Sequence, residues 1–188
     1  MHSFLRGYTL TELLLVLSIA ALLLGLAQPS LRSSLQSQDG DALVNDLARS
    51  MNLARARAVE LGSIVTLCAS RDAVSCSGNW QDGHIVFIDA DGDGSLTLAD
   101  TLVHAVRRGK APGELVLRSF PKRKYVQFIA LGSTRNQNGA FTWCPPSSDA
   151  SLARQLIFSA SGRMRLAIDR DGDGIREGSN GKPLDCGV

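Results

Sequence analysis

Apolar residues follow two different patterns in the N-terminal part of the chain. Residues 8–27 are almost entirely Leu, Ala, Ile and Val, and Glu12 is their one charged side chain. A helix needs about 20 apolar residues to cross a bilayer core of about 30 Å, so we predict a transmembrane segment over residues 8–28. Further along, apolar positions recur every three or four residues, which predicts an amphipathic helix on a core over residues 29–62. These positions are Leu43, Leu47, Met51, Ala54, Ala58 and Leu61.

The pattern changes after Gly62, where Gly, Asn, Asp and Pro separate short β-prone runs. Gly62 is a natural helix stop, and the runs predict strands. One long helix followed by antiparallel strands predicts an α+β fold, with a β-rich domain over residues 63–188. The predicted strands are 64–68, 84–89, 102–106, 115–119, 125–130, 141–144, 155–159 and 164–169.

A removable signal peptide is the alternative explanation of the N-terminal apolar run. Such signals have an apolar region of roughly 7–15 residues followed by a small-residue cleavage site. The present run is longer and carries Glu12, and Arg6 precedes it. A basic residue before the segment predicts a cytoplasmic N-terminus, a single pass through the membrane and an extracytoplasmic remainder.

The junction after Arg6 resembles the prepilin signature, since it reads Gly7-Tyr8-Thr-Leu-Thr-Glu12-Leu-Leu. The resemblance implies that residues 1–7 are a leader, that a prepilin peptidase cleaves between Gly7 and Tyr8, and that Tyr8 is N-methylated. Prepilins usually carry Phe at that place. It also implies that Glu12 pairs with the N-terminal ammonium of a neighbouring pilin during assembly, because an unpaired carboxylate in hydrocarbon costs several kcal/mol. The alternative is a boundary residue that reaches the headgroups.

Residues 54–60, 65–68 and 80–89 are similar to segments of the GspH/FimT family of minor pilins and pseudopilins. Membership implies a type IV pilin-like fold, in which a long N-terminal helix, transmembrane in its first half, packs on an antiparallel β-sheet domain. It also implies a filament protein whose partners are other major and minor pilins. Before assembly such a protein would cross the bacterial inner membrane once, with its C-terminal domain in the periplasm. The resemblance does not separate a type IV pilus from a type II secretion system.

The chain has four cysteines, all in the β-rich part. An even number in an oxidising compartment indicates two disulfides, and three pairings are possible. We prefer Cys68–Cys76, which closes a small loop, and Cys144–Cys186, which ties down the tail. A zinc site is the rival explanation, but the chain has no Cys-x-x-Cys pair and neither His84 nor His104 stands at a zinc-finger spacing.

The usual catalytic signatures are missing from the sequence, which has no Gly-x-Ser-x-Gly, His-Glu-x-x-His or phosphate-binding Gly-Lys-Ser/Thr motif. His84 and His104 fall in predicted strands, where a packed or solvated histidine is the simpler interpretation. We therefore predict that the chain is not an enzyme and requires no cofactor.

Two acidic loops make calcium a possible ligand. The first places Asp89, Asp91, Asp93 and Asp100 at positions 1, 3, 5 and 12 of a calcium loop, with Gly94 at the sharp turn. The second repeats this start with Asp169, Asp171, Asp173 and Gly174, but has Asn180 at its twelfth position. The alternative is a pair of polar Asp-Gly hairpin turns.

Positive charge is concentrated in the second half of the chain. Residues 1–106 hold 6 Lys/Arg and 11 Asp/Glu, whereas residues 107–188 hold 14 and 7. Basic clusters at 107–110, 122–124 and 162–165 have the charge that phosphate binding requires, although solvated surface faces are the alternative. The tail over 163–188 has five basic and five acidic residues, which weakens its field.

The segment Gly162-Arg163-Met164-Arg165 resembles the DNA-binding motif of FimT minor pilins. This resemblance implies binding of double-stranded DNA, without sequence readout, for uptake in natural transformation. Arg163 and Arg165 would lie on one face of a strand, and a few tail residues would extend the surface, namely Arg170, Arg176 and Lys182. The alternative function is structural, as a minor pilin or GspH-like pseudopilin that initiates or caps a filament.

Overall fold

The computed structural model describes residues 9–109 and 111–187. The chain forms two compact units, the first ending at Gln36 and the second beginning at Ser37. Helix α1 extends over Leu10–Leu61. It therefore contributes residues to both units.

The first unit contains the N-terminal part of α1. Thr9 caps this helix, because the Glu12 amide donates to Thr9 Oγ1 at 3.3 Å and the Thr9 amide donates to Glu12 Oε2 at 3.5 Å. This reciprocal arrangement is a capping box. Within the described residues, no helix combines the length and the hydropathy that a bilayer span requires. The sequence predicts a transmembrane segment over residues 8–28, and Tyr8, where it begins, lies outside the described residues.

In the second unit α1 buries the predicted apolar stripe. Five of the six predicted positions are buried, and they are Leu43, Leu47, Met51, Ala54 and Ala58. The prediction for Leu61 is wrong, since its side chain is 46% exposed. The helix stops there because Gly62 adopts a φ of +62° and the Ser63 amide reaches back to the Ala58 carbonyl at 3.3 Å.

Eight strands follow the helix, one at each predicted place. They form two four-stranded sheets, where the sequence analysis predicted one sheet domain. The first has the order β3-β2-β1-β5, with β1 Val65–Ala69, β2 Gly83–Ile88, β3 Thr101–Arg107 and β5 Tyr125–Phe128. The second has the order β4-β6-β7-β8, with β4 Glu114–Phe120, β6 Asn138–Cys144, β7 Arg154–Phe158 and β8 Met164–Leu166. Every strand pair is antiparallel.

One core joins α1 to the inner faces of both sheets. Leu47 and Met51 of the helix share it with Phe128 of the first sheet and Trp143 of the second. The approach is close at Gly40, where a Cβ atom would lie 2.5 Å from the Trp143 ring. Only glycine fits at that helix position, which fixes how near α1 can lie to β6.

Each sheet also has a covered outer face. In the first sheet, Ile85 and Phe87 point away from α1 and pack with Cys68 under loop residues such as Leu96. In the second sheet, the tail covers the outer face, where Ala167 and Leu184 pack around Ala153. Loops that cover sheets in this way are held close to the domain, and they include both acidic segments.

Candidate functional sites in the basic turn, the acidic loops and the core

The turn between β7 and β8 is held from two sides. Gly162 has a φ of +78°, and a Cβ atom on it would lie 2.2 Å from the Gly132 carbonyl oxygen. Arg55 of α1 donates from Nη1 to the Gly162 carbonyl at 3.1 Å, and the Thr134 amide donates to the Ala160 carbonyl at 3.0 Å. The glycine of the Gly-Arg-x-Arg segment is therefore required by both its backbone angle and its neighbour.

Arg163 and Arg165 flank a core residue. Met164 starts β8 and packs against the main core, so the arginines on either side of it point to the outer face of the sheet. Arg163 is exposed and Arg165 is half-buried. Among the described residues, neither guanidinium forms an ion pair with a carboxylate. Both cations are available to an external anion.

The three tail cations occupy separate environments. Lys182 and Arg170 are exposed, and the Arg170 amide donates to Glu177 Oε2 at 2.8 Å. Arg176 is half-buried and reaches the Ser151 carbonyl at 3.4 Å. Burial, followed by the charge of Arg154, lowers the pKa of Arg176.

Arg176 and the arginine pair lie at opposite ends of β7. Arg176 is near Arg154, which starts this strand, whereas the arginine pair follows the turn at its far end. Five strand residues span roughly 13 Å at about 3.3 Å per residue. The structure does not bring Arg176 to the side of Arg163.

Each of the two other predicted basic clusters has one arginine that is engaged within the domain. Arg108 forms an ion pair with Asp46 of α1, and burial lowers the pKa of its guanidinium. Arg123 lies over the Tyr125 ring at 5.9 Å and donates to the Arg135 carbonyl at 3.4 Å. Lys122 and Lys124 on either side of Arg123 are exposed, and Lys110 lies outside the described residues.

Asp89 organises the first acidic loop as a buried acceptor. Its Oδ1 accepts from the Gly92 amide at 2.7 Å. Its Oδ2 accepts from Thr66 Oγ1 at 2.5 Å, from Gln127 Nε2 at 2.8 Å and from the Gly94 amide at 3.0 Å. The side chain is 1% exposed, and its partners come from two strands and the loop itself. This carboxylate fastens the loop to the first sheet.

The predicted calcium set of the first loop is only partly brought together. Carboxylate oxygens of Asp89, Asp91 and Asp93 lie within 4.8 Å of one another, and Asp100 is not in this group. Asp100 instead accepts from the Ala90 amide at 2.9 Å and the Thr97 amide at 2.8 Å, which closes the loop. Calcium at this loop stays a prediction.

The second acidic loop gathers a residue that the sequence analysis missed. Carboxylate oxygens of Asp169, Asp171, Asp173 and Glu177 all lie within 4.8 Å of one another. Glu177 stands at the ninth position of the calcium-loop pattern, where ligation is often through water. Its place on the loop spacing was the signal that could have found it.

Both preferred cysteine pairings are disulfide-bonded. Cys68 bonds to Cys76 and Cys144 bonds to Cys186, with Cα–Cα distances of 5.5 and 5.6 Å. The first bond fixes the loop over the outer face of the first sheet, and the second fixes the tail over the outer face of the second.

His84 is a buried histidine on the face of β2 that meets α1. Its Nε2 lies 2.7 Å from Ser50 Oγ of the helix, and the side chain is 0% exposed. Burial, with a smaller contribution from His104, lowers the pKa of His84 to about 4. The contact joins the helix to the sheet inside the core.

Arg154 is a second buried polar contact that the sequence did not reveal. It is 7% exposed and makes five hydrogen bonds, two of them to the Asp41 carboxylate of α1. The others go to Ser37 Oγ at 2.6 Å, the Leu152 carbonyl at 2.9 Å and the Ala153 carbonyl at 3.1 Å. All five N–H groups of the guanidinium are used.

The predicted processing site is at the other end of the chain. Gly7 and Tyr8 lie outside the described residues. Glu12 is exposed and forms the helix cap with Thr9, and it has no ion pair within the described part of the chain.

Residues 43–162 match the family described as Type II transport protein GspH. The chain belongs to this family. The resemblance to GspH/FimT minor pilins is thereby confirmed, and the matched region includes residues 43–61 of α1, seven of the eight strands and Gly162. No curated protein sequence matches the chain.

Solved structures of minor pilins share the fold. The type IV minor pilin FimU of Pseudomonas aeruginosa matches in two crystal forms. Their identities are 18% and 19%, and their TM-scores are 0.55 and 0.52. The matches cover 79% and 78% of this GspH-family chain and 96% and 98% of FimU. The minor pseudopilin EpsH of Vibrio cholerae matches at 9% identity over 68% of this chain and 95% of EpsH, with a TM-score of 0.49. The two FimU matches confirm the predicted α+β, pilin-like fold.

Proposed function

We propose that this GspH-family chain is a minor type IV pilin that binds double-stranded DNA, without sequence readout, for uptake in natural transformation. The observation that carries the proposal is the pair formed by Arg163, which precedes β8, and Arg165, which is its middle residue. Both point to the outer face of the sheet, and neither has a carboxylate partner among the described residues. On this proposal the partners are DNA, other pilins, the prepilin peptidase and the inner membrane.

Two arginines at alternate strand positions suit a phosphate backbone. Their Cα atoms are roughly 7 Å apart along the strand, and both side chains leave the same face. A guanidinium is planar and always charged, so it can hold a phosphate through two parallel hydrogen bonds. Contacts to phosphates fix the position of a protein on DNA but read no bases.

The backbone of the turn that precedes Arg163 is already held in place without DNA. Gly162 contacts Gly132 closely, and its carbonyl is fixed by Arg55, so the backbone that carries Arg163 has little freedom to lose. Ordering a flexible segment reduces affinity, whereas a segment that is already ordered avoids this loss.

Filament initiation or capping is the second candidate function. It is favoured by the apolar side chains that the first unit exposes, including Leu13, Leu14, Val16 and Leu17, each more than half exposed. Exposed apolar patches of this kind mark surfaces that pack against other helices or lipid. Glu12 in the same unit would pair with the N-terminal ammonium of the next subunit.

DNA binding by the full chain in mild detergent, across a salt series, tests the first candidate. We expect the Arg163→Gln/Arg165→Gln double variant to bind at least tenfold more weakly. Its log–log salt slope should be smaller by about 0.9 for each lost phosphate contact. The matched control is Lys122→Gln/Lys124→Gln, which removes the same charge from two exposed positions also two residues apart.

The control variant distinguishes a specific DNA-binding site at the two arginines from a general attraction of DNA to the positive charge of the protein. Equal weakening in both double variants would show that net charge, and not the β8 pair, sets the affinity. Binding by the parent that does not depend on salt, or no binding at all, would remove the DNA proposal and leave filament assembly. Assembly would then be tested by the loss of filament incorporation in a Glu12→Gln variant.

A further inference from the structure

The tail holds four carboxylates that converge on one point. Asp169, Asp171 and Asp173 are exposed, Glu177 is buried, and one oxygen from each lies within 4.8 Å of the others. Four negative groups at this separation repel one another unless a cation lies between them.

Glu177 gives an independent indication of a ligand. Its side chain is 8% exposed, and its Oε2 accepts from the Arg170 amide at 2.8 Å. Its Oε1 is buried and has no hydrogen-bond partner within the described residues. A buried oxygen that has lost its water and gained no partner destabilises the folded chain. A hydrogen-bond donor or a cation beside this oxygen would remove that cost.

The backbone around Glu177 holds this carboxylate in position. The Glu177 amide donates to the Ile168 carbonyl at 3.1 Å, which closes the loop at its base. Glu177 also forms bridges with Ile168 and Pro183, so it is fixed from both directions. The Cys144–Cys186 disulfide holds the end of the tail against β6.

We propose that Asp169, Asp171, Asp173 and Glu177 bind one Ca²⁺ ion. Calcium takes 6–8 oxygen ligands in a flexible geometry, and four carboxylates with loop carbonyls and water can supply them. The aspartates occupy positions 1, 3 and 5 of a calcium loop, Gly174 occupies position 6, and Glu177 occupies position 9. The cluster contains only oxygen donors, which disfavours zinc and copper.

The first acidic loop is the natural comparison. Its buried acid, Asp89, has both oxygens occupied by amide, hydroxyl and side-chain donors. Asp169, its counterpart in the second loop, also accepts from two loop amides. The two loops differ at the ninth position, where the first has Thr97 and the second has Glu177, whose buried Oε1 has no hydrogen-bond partner among the described residues. The proposal therefore concerns the second loop alone, although the two loops share the Asp-x-Asp-Gly-Asp-Gly sequence.

Calorimetric titration of the full, chelator-stripped chain with CaCl₂ tests the site. We expect one ion per chain with a Kd of about 10⁻⁴ to 10⁻³ M, the range of extracellular calcium modules. Asp171→Asn, at an exposed position, and Glu177→Gln, which keeps the side-chain shape, should each weaken binding at least tenfold. Asp91→Asn is the matched control, since Asp91 is the third residue of the first loop.

Each other outcome overturns the proposal. These outcomes are no binding heat up to about 10 mM CaCl₂, equal affinity for MgCl₂, unchanged affinity in Asp171→Asn, and a loss in Asp91→Asn as large as in Asp171→Asn. The melting curves of Asp171→Asn and Asp91→Asn without calcium should match the parent, which separates lost ligation from lost folding.

Discussion

Arg55 of α1 donates a hydrogen bond to the carbonyl oxygen of Gly162 at 3.1 Å, although 107 positions separate the two residues in sequence. The same guanidinium lies close to Gly132, whose Cβ position would be 3.3 Å from Arg55 Nε. The helix therefore fixes the two turns that meet beside the arginine pair. Any DNA-binding role of β8 depends on this contact as well as on Arg163 and Arg165.

Gly162→Ala should destabilise the domain by roughly 2–4 kcal/mol, because a positive φ and a backbone clash act together. Chemical denaturation followed by tryptophan fluorescence measures the change. Gly181→Ala is the control, since Gly181 has a φ of +73° with nothing within 4 Å of its Cβ position. It should lose only about 1 kcal/mol. Equal losses in the two variants would mean that the contact with Gly132 contributes nothing.

Arg154→Lys should lower the free energy of unfolding by roughly 2–4 kcal/mol. Lysine keeps the charge but cannot serve the Asp41 carboxylate and two backbone carbonyls from one planar group. Arg49→Lys is the matched control, because Arg49 is 72% exposed and its ion pair with Asp46 is on the surface. A surface pair of this kind contributes about 0–1 kcal/mol. A loss at Arg154 within that range would contradict the prediction.

His84 should make the domain less stable as the pH falls from about 6.5 to about 4. Its pKa is lowered to about 4 in the folded chain, so the unfolded chain takes up a proton first and gains stability in this window. The full effect is roughly 3 kcal/mol, reached once the pH is below the folded pKa.

Melting temperatures of the parent and His84→Gln between pH 7 and pH 4 measure this effect. The decline should be shallower in His84→Gln. His104→Gln, at an exposed strand position, should change the profile much less, because burial is the larger cause of the lowered His84 pKa. Parallel pH profiles for the parent and His84→Gln would assign the decline to other groups.

The two disulfides should contribute unequally. Cys144 and Cys186 are 42 residues apart, and Cys68 and Cys76 are 8 apart. Loop-closure entropy predicts losses of about 4 and about 2.5 kcal/mol when each pair is replaced by serine. Denaturation of the two double variants tests the order. A larger loss for the Cys68→Ser/Cys76→Ser variant would show that the loop it closes contributes contacts beyond chain entropy.

Local patterns in the sequence were enough to predict the elements of this fold. The α1 stripe and the eight β-prone runs depend on alternation and turn residues, which are short-range properties. Division into two sheets could not be predicted, because strand order follows long-range pairing such as β5 beside β1. Leu61 fits the helical spacing, but it is the last residue of α1, where the side chain no longer packs against the core and is exposed.

The residues of the candidate sites also fall into those that a local sequence pattern marks and those that only long-range contacts bring together. The Gly162 segment and the acidic loops are continuous in sequence and could be recognised. Arg55, Ser50 and Arg154 act through partners far along the chain, so no local pattern marks them. Glu177 lies between these cases, since its spacing is local but its burial comes from the bridges on either side.

Because disulfide-bonded segments cover the outer faces of the two sheets, the amount of exposed apolar surface should depend on whether the cysteines are oxidised or reduced. Each cover is fastened by one disulfide, over Ile85 and Phe87 in the first sheet and beside Ala167 and Leu184 in the second. Reduction of the two disulfides would free the covering loop and the tail. The apolar residues beneath them would then be exposed to hydrophobic dyes or to holdase chaperones. We expect the oxidised domain, with both covers in place, to expose less apolar surface than the reduced domain and therefore to aggregate less.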